Sequence, residues 1–236
     1  MDGLRALVAA LGPARDWDVL CSETLPPIAP HCPDTVAWQQ GCAALEAQRA
    51  EVRATMRMAL IQAHPGAWLL AFQRWLLQRG WRGSPSGQAT PEAQRFVQLS
   101  PLLAFAQRAL RKGQRPVVRG AREFAQLNGA QRHVVRIAIK RQRYAAEFFQ
   151  ALFDEPGQKQ RQARSLVALR NAQDSLGRAR DARVAWELLT AARADAEPMR
   201  SFALGWLAAQ QAGATLDDSA SQVRACQKLK PWFDAD

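Results

Sequence analysis

Residues 131–149 read QRHVVRIAIKRQRYAAEFF. Apolar residues recur there at three- and four-residue spacing with no sustained alternation, the pattern of an amphipathic α-helix. At about 100° per residue, His133, Arg136, Lys140, Arg143 and Glu147 fall inside an arc of roughly 80°. Val, Ile, Ala, Tyr and Phe occupy most of the remaining circumference. Such a helix is expected to be buried on most sides and to present its cations into a groove or a seam between helices. From His133 to Arg143 it would rise about 15 Å, setting cations one turn apart against successive groups of an extended anion. Arginine suits that task because its planar fork donates two parallel hydrogen bonds to phosphate oxygens. His133, which alone would read as a hydrogen-bonded core histidine, stands at the head of this stripe and becomes a candidate ligand contact.

Upstream, Arg108, Arg111, Lys112, Arg115, Arg119 and Arg122 also step at three and four residues. By itself this run reads equally well as an ordinary solvated helix face. Packed beside the 131–149 helix, it would wall a basic channel. The charge distribution singles out this region: residues 1–90 carry eight basic and seven acidic residues (+1), 91–180 eighteen and six (+12), and 181–236 six and eight (−2), for a net +11. Between Arg108 and Arg143 eleven basic side chains face a single acidic one, Glu123. A field focused in that way attracts an extended anion. A preference for arginine across the whole chain would explain arginine over lysine, but not the clustering.

The rest of the chain is helical in period, so the expected fold class is all-α. Breakers at 26–34, 80–91, 113–116, Asn128-Gly129, Pro156-Gly157 and 213–218 separate stretches long enough for antiparallel helices. The run 82–87 (RGSPSG) reads as a flexible surface loop. Eight tryptophans, among them Trp38, Trp68, Trp75, Trp186 and Trp206, fall mainly on apolar positions and are expected in the core. Residues 4–19 match residues 169–184 at an offset of 165 with eight of sixteen positions identical, including Leu11-Gly12 with Arg15-Asp16 and Leu176-Gly177 with Arg180-Asp181. A repeat that long suggests two related bundles, divided at 1–90 and 91–236. The repeated glycines are expected to permit close packing or a kink, and the aspartates to cap or pair.

In this register the chain resembles the CHAD family, an α-helical domain named for its conserved histidines. The resemblance rests on His133, Arg136, Lys140, Arg141, Arg143 and Tyr144, and on the Leu-Gly pairs followed by Asp16 and Asp181. It covers nearly the whole chain. What it implies is two antiparallel helical bundles about a pseudo-twofold, binding inorganic polyphosphate along a basic surface. The family's first histidine-arginine helix, which precedes its first Leu-Gly-Asp segment, has no counterpart here. The first bundle is therefore expected to lack a helix, to expose an apolar groove along Leu4, Leu7, Val8 and Leu11, and to favour a homodimer.

Catalysis is not expected: there is no Gly-x-x-x-x-Gly-Lys loop, no His-Glu-x-x-His and no acidic cluster to hold magnesium. No cofactor or metal is expected either, since Cys21, Cys32, Cys42 and Cys226 form no C-x-x-C pair and read as buried free thiols. No apolar run long enough to cross a bilayer and no signal peptide is legible, so the expected location is cytoplasmic, in association with polyphosphate granules. Two other readings of the stripe are a nucleic-acid-binding helical protein and a scaffold docking acidic proteins. Nucleic-acid binding should be weak, because few Asn or Gln stand between the cations to read bases and Tyr144 is the one aromatic interrupting the stripe.

Overall fold

The structure, a computed structural model, describes residues 2–78, 101–213 and 216–233. Among them are eight α-helices and no strand: α1 (Asp2–Val19), α2 (Thr35–Ala63), α3 (Pro65–Leu77), α4 (Leu102–Glu123), α5 (Gly129–Phe149), α6 (Pro156–Ala191), α7 (Met199–Gly213) and α8 (Leu216–Gln227). The all-α expectation holds. The expected loop at 82–87 lies outside the described residues.

Several boundaries follow local chemistry. The Asp34 side chain accepts from the Ala37 N–H at 2.8 Å, capping α2. At the other end of α2, His64 takes a left-handed conformation (φ 45°) and Pro65 opens α3. Histidine is tolerated in that region and proline suits a first helical turn, yet neither marks the break in the sequence as a glycine would. Asn128 caps α5 by accepting from the Gln131 N–H, while the Gln131 side chain accepts from the Asn128 N–H, both at 2.9 Å. The break expected at 113–116 does not occur. α4 runs through Pro116, and the nearest core residues before and after the 113–116 stretch, Leu110 and Val117, are fully buried. Burial on both flanks offsets the roughly 3 kcal/mol a mid-helix proline costs.

The chain divides into two compact units, residues 1–86 with 180–213 and residues 87–179 with 214–236. A cut at residue 90 would assign 180–213 to the second; these residues instead pack with the first, because α6 contributes to both. In unit 1, α2 packs against α1 and α7. Its core joins Trp17, Leu20, Trp38 and Leu45 to Ala185, Leu189, Met199 and Leu207. Gly41 is needed there, since a Cβ would stand 2.6 Å from the Met199 Cβ. Trp38 and Trp206 join this core as expected, whereas Trp75 and Trp186 are exposed. Val8 and Leu11 of α1 are also exposed, as are Leu69, Leu70, Trp75 and Leu77 of α3.

The repeat acquires a physical meaning in unit 1. Its two Arg-Asp pairs meet crosswise: Arg180 Nη2 donates to both Asp16 oxygens at 2.9 and 3.0 Å, and Arg15 Nη1 reaches Asp181 Oδ1 at 3.4 Å. Each arginine also reaches the aspartate beside it. Pairing is thus the role of both aspartates. The close-packing half of the expectation for the glycines fails: a Cβ at Gly12 or Gly177 would meet nothing within 4 Å, so neither marks a close approach.

In unit 2, α4 and α5 are antiparallel neighbours joined by the short 124–128 connection, with α8 against α4. Two apolar clusters fill the unit. One joins Val117, Val135, Ile139, Leu169, Leu176 and Val223, and the other joins Leu110, Phe149, Phe153, Leu166, Trp232 and Phe233. The α4–α5 approach is close because α4 has glycine where α5 projects a side chain. A Cβ at Gly120 would stand 2.4 Å from a Val135 methyl, and one at Gly113 2.2 Å from Gln142 Oε1. Gln142 Nε2, buried between them, donates to the Leu110 carbonyl at 3.2 Å.

Candidate functional site

On α5 the buried positions are Val135, Ile139, Gln142, Ala146 and Phe149, all within one arc of about 80°. Directly beside that arc, on the flank that meets α6, stand Arg132, Arg143, Arg136, Lys140 and His133. Arg132, Arg136 and Arg143 are half-buried, while Lys140 and His133 are exposed. The structure therefore brings together four residues of the stripe read from the sequence, and it adds Arg132. The remaining surface of α5 is not buried: Val134 is 64% and Phe148 80% exposed, and Tyr144 is exposed too. The expectation of a helix buried on most sides fails, and the cations lie along a partly covered flank instead of an enclosed groove. Arg141 sits on that outer apolar surface, about 80° from His133 and 100° or more from the other cations, and does not join them.

The flank is held by α6. Arg143 Nε donates to Gln173 Oε1 at 2.9 Å, and Arg143 Nη1 donates to Glu147 at 2.7 and 2.9 Å. Arg170 Nη2 donates to the same carboxylate at 2.9 Å. The hydrogen bond from Arg170 and the charge of Arg143 beside it hold the Glu147 carboxyl below its ordinary range against partial desolvation. Arg143 also lies 4.3 Å and Lys140 5.6 Å from the Tyr144 ring centre, and Arg132 lies 5.3 Å from that of Phe124. By contrast, Arg132 Nε and Arg136 Nε are buried with no hydrogen-bond partner in the protein. A buried guanidinium N–H without an acceptor is costly.

Arg170 and Gln173 escaped the sequence reading of the site. Arg170 lies within the repeat, as the counterpart of Arg5, but nothing in the sequence says that it faces Glu147 from another helix. The upstream run is placed differently again. Arg108, Arg111, Lys112, Arg115, Arg119 and Arg122 are all exposed, on the side of α4 opposite its buried residues. α4 meets α5 through Gly113 and Gly120, so its cations point away from α5, while Arg143 of α5 reaches α6. The two runs pack side by side without walling one channel.

Among the described residues no helix is long and apolar enough to cross a membrane, and no group of three His, Cys, Asp or Glu side chains could hold a metal ion. All four cysteines are free thiols. Cys226 is buried, with its pKa pushed up to about 12 by desolvation, and the other three are half-buried.

No curated protein matches the chain significantly. Among solved structures it is similar to the crystal structure of the CHAD domain from the plant Ricinus communis. That match has 27% sequence identity and a TM-score of 0.70, and covers 97% of this chain and 72% of that one. The family model for the CHAD domain matches residues 1–190, a span that takes in α5, most of α6 and both copies of the repeat. The chain belongs to the CHAD domain family.

Proposed function

We propose that this protein binds inorganic polyphosphate, or a closely similar phosphate-rich polyanion, along the α5 flank and without catalysis. The observation that carries the reading is the set of cations on one side of α5, two of which, Arg132 and Arg136, have a buried Nε with no acceptor. A linear polyanion supplies acceptors at regular intervals, and Arg132, Arg136, Lys140 and Arg143 succeed one another at three- and four-residue steps over about 16 Å. The resemblance to the CHAD family supports the choice of polyphosphate over other polyanions.

The test is a titration of the full chain with polyphosphates of several lengths over a salt series. Affinity should fall linearly with salt in log-log form. Arg136→Ala should weaken binding by about 1.5–3 kcal/mol, since its hydrogen bonds to the anion are partly desolvated. A salt-insensitive affinity, or an unchanged affinity in both Arg136→Ala and Lys140→Ala, would refute the site.

A further inference from the structure

The cationic face of α4 lies outside the site proposed on α5. Arg108, Arg111, Lys112, Arg115, Arg119 and Arg122 are exposed and fall within an arc of about 100°. Ala106, Leu110, Val117 and Ala121 lie on the opposite side and anchor the helix in the core of unit 2. The row therefore stands on a rigid convex ridge about 21 Å long. Glu123 is the one acidic residue of α4 and sits past the edge of the arc.

The chemistry of the ridge narrows what it can hold. No aromatic residue lies within the arc, so it offers no platform on which single-stranded bases could stack. Neither Asn nor Gln lies within it, and the nearby Gln114 turns inward to donate to the Leu229 carbonyl, so base edges are not read. The apolar side of α4 is buried in the core and cannot enter a lipid surface as an amphipathic helix does. A flexible single-chain polyanion can follow any line of cations and gains little from a straight ridge. A convex, uniformly cationic helix is complementary instead to a stiff double helix. The α-helix, about 10–12 Å across, matches a major groove about 12 Å wide whose edges are rows of phosphates.

We propose that the outer face of α4 is a second binding surface, for the phosphate backbones of double-stranded nucleic acid. It acts independently of base sequence and separately from the α5 flank. Its specificity is for a shape and a charge density, so duplexes of unrelated sequence should bind alike.

The experiment uses the full chain with two probes, a mixed-sequence DNA duplex of about 20 base pairs and long-chain polyphosphate. Two variants are compared: Lys112→Ala/Arg115→Ala/Arg119→Ala on α4 and Arg136→Ala/Lys140→Ala on α5. All five positions have exposed or half-exposed side chains, and circular dichroism checks that helicity is kept. With phosphate contacts from Lys112, Arg115, Arg119 and Arg122, the slope of log affinity against log salt for the duplex should be about −3.6. The α4 variant should flatten it by about 2.7 and weaken duplex binding several hundredfold at roughly 0.1 M salt. Its polyphosphate affinity should change less than about threefold, and the α5 variant should show the reverse pattern. The proposal is overturned if the α4 variant binds the duplex like wild type, if single-stranded DNA of equal nucleotide content binds as tightly as the duplex, or if each variant loses both ligands together. Failure of wild type to bind polyphosphate would refute the α5 reading while leaving the duplex result to stand on its own.

Discussion

Replacing Glu147 with Gln tests whether the α5 flank is held in a self-paired state that a polyanion must compete with. The carboxylate accepts from Arg143 and Arg170 at 2.7–2.9 Å, so two guanidiniums of the flank are already partly neutralised. Glutamine keeps the size and an accepting oxygen but removes the charge. Stability should fall: the Arg143–Glu147 pair is an i,i+4 contact and Arg170 adds a second, which together stabilise by about 0.5–1 kcal/mol. Affinity should rise. A phosphate taken up by Arg143 would sit roughly 6 Å from the Glu147 carboxylate, and two unit charges at that distance repel by about 0.7 kcal/mol in water and about 1.4 kcal/mol at an effective dielectric of 40. Relief of that repulsion tightens binding about three- to tenfold.

The pair also gives a pH signature. Because the folded carboxyl titrates below the unfolded one, its contribution is complete above the unfolded pKa of about 4.3 and is lost as pH falls through the lower folded value. Urea unfolding from pH 7 down to pH 3 should therefore show the wild-type advantage over Glu147→Gln shrinking below about pH 4.3. Polyphosphate titration at fixed salt supplies the affinity. If Glu147→Gln binds no tighter than wild type, the polyanion does not approach Arg143 and the reasoning fails.

Further substitutions probe the frame around the site. Gly120→Ala should destabilise by about 1–2 kcal/mol, because the added Cβ meets the stiff branched side chain of Val135. Gly177→Ala enters open space and should stabilise by about 0.5–1 kcal/mol through helix propensity; thermal unfolding that shows the same sign for both would contradict the described packing. Arg180→Ala leaves Asp16 and Asp181 side by side with only Arg15 between them. Stability should drop by about 1–2 kcal/mol, and the further change Asp16→Asn should recover part of it in a double-mutant cycle, whereas additive losses would mean that the cluster does not act as a unit.

What the sequence determined by itself is what depends on local chemistry and on spacing along one helix. The period of the apolar residues specifies helices, Asn128-Gly129 marks the start of α5, and the spacing of Arg136, Lys140 and Arg143 puts those cations on one flank whatever surrounds them. The repeat was legible for the same reason, as was the resemblance to the family. Tertiary structure decided everything that depends on a second helix. Pro116 and Gly113 read locally as a break, but burial of Leu110 and Val117 carries α4 through them. Gly12 and Gly177 read as sites of close approach, while the close approaches fall at Gly41, Gly113 and Gly120, where another helix happens to project a side chain. The two basic runs share a period, yet the glycine seam rotates the α4 cations away from those of α5. Glu147 looks in the sequence like the one flaw in a cationic stripe. Only the arrival of Arg170 from α6 makes it the group that holds two arginines in place.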